Sequence, residues 1–202
     1  MGKSMIAKVY DDLFSPAFVA TTDEMVFNLP VSCTNEANGK RYPDGGGGTH
    51  RLFGENLFER TSVNTITNWS PKAPVFFNML RHIEEVTETT YYLSRIDLNL
   101  QHSFCDGSAH VDGDISNSTI MYFSNCQWEK EWGGQFQILD GQHGNVIEEH
   151  EYVPGRVVIF PSNYWHRGLG PRHPYVYRYS IVWRVTAVDS ICLLYTSPSP
   201  RD

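Results

Sequence analysis

From Tyr91 onward the chain is a succession of short β-rich runs, "YYLSRIDLNLQ", "STIMYFS", "GGQFQIL", "NVIEEHEYV", "GRVVIFP" and "YVYRYSIVWRV". Gly, Asn, Asp and Pro separate them, residues that turn a chain rather than continue a strand. In the first run Leu93, Arg95, Asp97, Asn99 and Gln101 alternate with Ser94, Ile96, Leu98 and Leu100 over much of its length, giving one polar and one apolar face. Ahead of these runs, "APVFFNMLRHIEEVTE" repeats apolar residues at Val75/Phe76, Met79/Leu80, Ile83 and Val86, the spacing of one helical face, after a helix-starting Ser70-Pro71. "DDLFSPAFVATTDEMVF" allows one or two short helices. Helices followed by strands imply an α+β chain, mainly β, whose C-terminal half is an antiparallel double sheet.

With 202 residues, 41% of them hydrophobic, the chain can bury one real core, and no internal repeat marks a second domain. The expected unit is a single domain over residues 1–191 with a catalytic core at about 91–185. "CLLYTSPSPRD", Cys192 to Asp202, has turn-like composition and reads as translated sequencing adapter, a non-native tail excluded from the fold. The four glycines at Gly45 to Gly48 read as a surface loop, since no Lys-Ser/Thr follows them to make a phosphate cradle.

A net charge of −7 argues against nucleic acid or an anionic membrane as partner. No apolar run approaches the roughly 20 residues that span a bilayer. The start "MGKSMIAKVYDDLF" lacks the apolar core of a secretory signal, and Cys33, Cys105, Cys126 and Cys192 show no paired spacing. Reduced thiols in the cytoplasm are the expectation.

The chemistry concentrates in "SAHVDGDIS", where His110, Asp112 and Asp114 occupy every second position and would share one face of an extended strand. An HxD pair alone is weak evidence. It sharpens with His166, which follows the strand-and-turn "GRVVIFPSNYW", and with Arg178, set in an aromatic and β-branched strand where an arginine needs an anionic partner. Two imidazoles and a carboxylate can occupy one face of an octahedral metal, as in non-heme Fe(II) oxygenases, or can hold zinc for hydrolysis. The arginine, with a fork of donors for a second carboxylate, favours the first.

Through "HVD", "STIMYFSNCQWEKEWGGQFQILD", "PGRVVIFPSNYWHRG" and "RYSIVW", the chain resembles the prolyl 4-hydroxylase-like branch of the 2-oxoglutarate/Fe(II)-dependent dioxygenases over roughly Tyr91 to Val185. That resemblance implies a double-stranded β-helix, a cupin-like jelly roll, behind N-terminal helices. It implies Fe(II) on His110, Asp112 and His166, and 2-oxoglutarate and O₂ as cosubstrates, and it leaves a need for ascorbate open. Arg178 would pair with the distal carboxylate of 2-oxoglutarate, Ser180 would share it, and Tyr122 is a candidate for lining that pocket against the competing reading of a core tyrosine. In related halogenases a small residue replaces the carboxylate, so Asp112 favours hydroxylation. The reaction implied is hydroxylation of a prolyl, other peptidyl or small-molecule C–H with release of succinate and CO₂. A nucleic-acid demethylase of the same fold is the runner-up, and a cupin-like binding protein or zinc hydrolase the third reading.

Among the remaining polar residues, Asp114 would lie behind the ligands or face substrate. Arg184 is read as incidental, although its spacing from Arg178 is that of the paired arginines in alkylation-repair dioxygenases. Arg95 and Asp97 are a surface pair or line the pocket mouth. Trp132 and Phe136 pack, and Gly133 and Gly134 make a turn. His82, His102, His143, His150 and His173 read as exposed or structural, as does Cys105.

Overall fold

The computed structural model describes residues 5–36 and 51–188. The glycine run and the adapter-like tail therefore lie outside the described residues. In chain order the elements are β1 (Lys8–Tyr10), α1 (Pro16–Phe27), β2 (Ser32–Glu36), β3 (Arg51–Ser62), β4 (Thr65–Trp69), α2 (Ala73–Thr87) and β5 (Tyr91–Gln101). There follow β6 (Asn117–Phe123), a single 3₁₀ turn at Lys130–Trp132, β7 (Phe136–Leu139), β8 (Val146–His150), β9 (Val157–Pro161), β10 (Trp165–Gly168) and β11 (Arg178–Ala187). All strand pairings are antiparallel. One sheet runs β1-β9-β6-β11-β5-β3-β2 with β4 attached to β3, and a smaller one runs β10-β7-β8.

Both helices begin and end for local reasons. Ser15 caps α1 by accepting from Phe18 N at 3.3 Å, with Pro16 pre-set in the first turn. α2 closes on Glu88, whose left-handed φ of 51° ends the helical run. Its buried face is Ala73, Phe76, Met79, Leu80 and Ile83, while Val86 is exposed.

Strand alternation then divides the large sheet into two faces. Ile96, Leu98, Leu100, Ile120, Tyr122, Ile181, Trp183 and Val185 form one core with the buried faces of α1 and α2. Trp183 Nε1 pins the sheet to α2 by donating to Phe76 O at 3.1 Å. The opposite face sends Met121, Phe123, Val158, Phe160 and Val182 against Phe136, Ile138 and Tyr152 of the smaller unit, a second core between the sheets. This is the jelly-roll arrangement.

The N-terminal third departs from the expectation of helices alone. It contributes β1 at one edge of the large sheet and β2, β3 and β4 at the other. These strands were illegible because bulges break their alternation, between Asn56 and Phe58 against β5 and between Glu59 and Arg60 against β4. Among the described residues no helix is long and apolar enough to cross a membrane.

Because the Phe76 side chain is fully buried between α2 and the sheet, Phe76→Ala is expected to cost about 3–5 kcal/mol, although the backbone carbonyl that Trp183 bonds is retained. Chemical denaturation checks this; a loss below about 1 kcal/mol would show that α2 does not anchor the sheet.

Candidate active site

His110 sits on no regular strand. It makes an isolated bridge to His166 of β10, with His110 N donating to His166 O at 3.0 Å and His166 N to His110 O at 2.9 Å. Backbone pairing therefore sets the two imidazoles side by side, ring centroids 4.4 Å apart. Each ring bonds a carbonyl through Nδ1, His110 to Ser108 O and His166 to Tyr164 O, both at 3.0 Å. A carbonyl only accepts, so Nδ1 carries a proton in each ring and Nε2 is the atom turned toward the cavity.

Both Nε2 atoms face Asp112. His166 Nε2 is 3.4 Å from Oδ2 and His110 Nε2 is 3.7 Å from Oδ1. The chain is turned there by Ser162 O, which accepts from Asp112 N at 2.9 Å and Gly113 N at 3.2 Å. Thr119 Oγ1 donates to Oδ2 at 3.0 Å, and Arg184 Nη2 to Oδ1 at 2.9 Å. Burial pushes the carboxyl pKa up, but His166 and His110 in their protonated forms, together with the Arg184 guanidinium, outweigh it and hold Asp112 far below the usual carboxylate range.

One donor atom from each of His110, Asp112 and His166 lies within 4.8 Å of the others. Two neutral imidazole nitrogens and an ionised carboxylate, each oriented by a partner behind it, fit a divalent iron with coordination positions left open.

The same cavity is lined by Asp97, Asn99, Met121, Gly168, Arg178, Ser180, Val182 and Arg184. Arg178 is 2% exposed. It donates from Nε to Gly134 O at 2.9 Å and from Nη1 to Gln101 Oε1 at 2.8 Å, and its guanidinium lies 5.3 and 5.1 Å from the rings of Phe123 and Tyr152. No carboxylate pairs with it among the described residues. Burial pushes its pKa down to about 10, so it remains a cation at neutral pH.

Gly134 takes a φ of 79°, and a Cβ there would lie 2.7 Å from the Trp128 ring, so the turn before β7 requires glycine. Trp128 in turn packs at a tilt against Tyr152, with centroids 4.2 Å apart.

Ser180 is buried in the cavity wall beside Arg178, as its position two residues on implies. Tyr122 is different. It points to the helical face of β6, and its hydroxyl is 3.0 Å from Thr22 Oγ1 of α1. Burial pushes its pKa up to about 12. The cavity-lining residue of β6 is its neighbour Met121, because adjacent strand residues face opposite ways.

Asp114 also leaves the site. Gly113 bends the chain, so the every-second-position pattern ends at Asp112, and Asp114 closes an exposed turn by accepting from Ser116 N at 2.9 Å. Arg184 is not incidental, since it bonds Asp112. Arg95 donates to Asp97 at 2.6 Å, and Asp97 lines the cavity, so the pair is at the pocket rather than on the surface. His150 is buried against Glu148 Oε1 at 2.8 Å, and His173 packs on Trp132. Sequence reasoning missed Gln101 and Thr119; the signal for both was a polar side chain on the inward face of a strand otherwise rich in apolar residues.

The model of the 2OG-Fe(II) oxygenase superfamily matches residues 85–183. No curated protein matches the chain in sequence. Among solved structures, a 2OG-Fe(II) oxygenase family oxidoreductase from Burkholderia pseudomallei is 17% identical with a TM-score of 0.63, covering 90% of this chain and 85% of that one. A prolyl hydroxylase from Trichoplax adhaerens, solved with a hypoxia inducible factor oxygen degradation domain peptide, is 12% identical with a TM-score of 0.64, covering 96% and 88%. A Pseudomonas putida prolyl-4-hydroxylase is 14% identical with a TM-score of 0.55, covering 91% and 94%. These likenesses establish a shared fold, and the family match adds Fe(II) and 2-oxoglutarate to an oxidoreductase. Over residues 85–183, which hold the whole His110–Asp112–His166 cluster, the chain belongs to the 2OG-Fe(II) oxygenase superfamily.

Proposed function

We propose that the protein is a dioxygenase that couples oxidative decarboxylation of 2-oxoglutarate to hydroxylation of a prolyl or other peptidyl C–H, or of a small molecule, releasing succinate and CO₂. The observation that carries this reading is the pairing of two unlike features in one cavity: a His110–Asp112–His166 donor set and, beside it, the buried Arg178 guanidinium, which no carboxylate among the described residues neutralises. A buried cation without a counter-ion is costly, and a dicarboxylate cosubstrate supplies what the chain withholds. The prolyl hydroxylases among the structures of like fold support the peptidyl arm of the proposal.

In this reading His110, Asp112 and His166 hold the iron, which when bound with 2-oxoglutarate supplies the O₂ chemistry that oxidises a C–H bond. The chain's own work is positional. Ser108 O and Tyr164 O fix the imidazole tautomers, while Thr119 and Arg184 fix the carboxylate. Arg178 and Ser180 hold the distal end of the cosubstrate. Asp97, on the wall near Asp112, and Arg184 present charge to whatever enters from the mouth.

The test is succinate formation by the protein purified without oxygen, then given Fe(II), 2-oxoglutarate and air, with and without ascorbate. Slow turnover that requires Fe(II) is the expected result even before a substrate is found. Failure to bind 2-oxoglutarate in the presence of Fe(II) overturns the proposal and favours a zinc or binding role.

A further inference from the structure

Gln101 closes β5 directly opposite Arg178 in the β5–β11 register and is 2% exposed. Its side chain has three partners. Oε1 accepts from Arg178 Nη1 at 2.8 Å, and Nε2 donates to Cys105 O at 3.1 Å and to Gly168 O at 2.9 Å. The direction of the amide follows from chemistry: two carbonyls cannot donate, so the NH₂ faces them and the oxygen is left for the guanidinium.

The three partners belong to different parts of the site. Cys105 lies on the segment that runs into His110, Gly168 is two residues beyond His166 on β10, and Arg178 opens β11. One neutral side chain thus ties the guanidinium to both histidine-bearing segments. The approach is close, since a Cβ on Gly168 would lie 2.9 Å from Gln101 Oε1 and 3.1 Å from Arg178 Nη1.

The guanidinium is fixed but not spent. Nε and Nη1 are engaged, the rings of Phe123 and Tyr152 lie close to it, and among the described residues Nη2 has only Met121 Sδ at 3.9 Å, a weak acceptor. An acid at position 101 would hold Arg178 equally well and cancel its charge. We infer that Gln101 is a positioning residue for the cosubstrate: it locks Arg178 in place without neutralising it, keeping the Nη2 side for the distal carboxylate of 2-oxoglutarate. This rests on the function proposed above.

The experiment is calorimetric titration of 2-oxoglutarate, without oxygen, into the Mn(II)-loaded full chain as wild type, Gln101→Glu and Gln101→Met. In Gln101→Glu an internal carboxylate competes for Arg178, and the Kd for 2-oxoglutarate is expected to rise on the order of a hundredfold. In Gln101→Met the guanidinium is no longer held, and a rise of about tenfold is expected. Mn(II) affinity within about threefold of wild type separates this role from a general loosening of the site. A folded Gln101→Glu protein that binds 2-oxoglutarate as wild type does overturns the inference, and Gln101→Met decides by the same criterion if the glutamate variant does not fold. Wild-type protein that binds no 2-oxoglutarate overturns the proposed function itself, whatever the variants do.

Discussion

Asp112→Ala is expected to cripple divalent-metal binding at the site, with the Mn(II) Kd raised by roughly 10²- to 10⁴-fold and iron-dependent succinate formation lost. Asp112 is the one anion of the donor set, and its side chain is only 4% exposed. Its removal leaves two neutral imidazoles facing a dication, with the Arg184 guanidinium 2.9 Å from where the carboxylate stood. Breaking a buried ionic interaction by deleting one partner costs about 3–5 kcal/mol, which sets the factor. Mn(II) titration followed by electron paramagnetic resonance measures it. A Kd within tenfold of wild type would show that the three residues converge for a structural reason and hold no metal.

The second large effect falls on Arg178, and it separates function from stability. Arg178→Met is expected to weaken 2-oxoglutarate binding by about 10- to 150-fold, the range for losing charge-assisted hydrogen bonds of about 1.5–3 kcal/mol. The folded protein is not expected to lose stability in proportion. Replacing a buried charge by an apolar side chain of similar volume is often neutral or stabilising. Here the cation is held by carbonyl oxygens and aromatic rings, with no acid among the described residues to offset its burial. Two carbonyls, Gly134 O and Gln101 Oε1, lose their donor, which works against that gain. The expected result is a Tm within a few degrees of wild type beside a cosubstrate affinity that has collapsed. Arg178→Lys is not expected to rescue binding, because an ammonium cannot reach both oxygens and still present a flat edge to a carboxylate. Loss of Tm in step with loss of affinity would mean that Arg178 is a structural residue and that the cosubstrate is anchored elsewhere.

The large sheet's central strands were legible from short β-rich runs between turn residues, and β5 and β11 also carry a largely polar inward series opposite an apolar outward one. The helix α2 was legible from its 3.6-residue spacing. The convergence of His110, Asp112 and His166 and the burial of Arg178 were legible for a different reason, since each is a polar group placed where packing alone would not put one. Face assignment was harder. Tyr122 and Met121 are both large and both buried, and only the register against β11 tells which one turns toward the cavity. Asp114 was expected behind the ligands or facing substrate because the pattern assumed an extended strand, and the Gly113 bend is invisible to a period-two count. Arg184 could not be separated from a surface arginine by its neighbours in sequence; its partner Asp112 is reached only through the fold. Gln101 is the clearest case of all, a residue whose meaning lies entirely in two carbonyls and a guanidinium that three separate segments bring to it.

The backbone bridge between His110 and His166 has a further consequence for how the protein behaves in a cell. The two imidazoles are far apart along the chain, and only the native pairing sets them together, so an unfolded chain offers no comparable binding site. Whatever metal the site takes is therefore thermodynamically linked to folding. At a free metal concentration one hundred times the dissociation constant, mass action adds about 2.7 kcal/mol to the stability of the folded form. Against the 5–15 kcal/mol typical of a domain, that is enough to change the steady-state fraction of unfolded chain by about a hundredfold. Iron supply thereby becomes a determinant of the protein's lifetime as well as of its turnover.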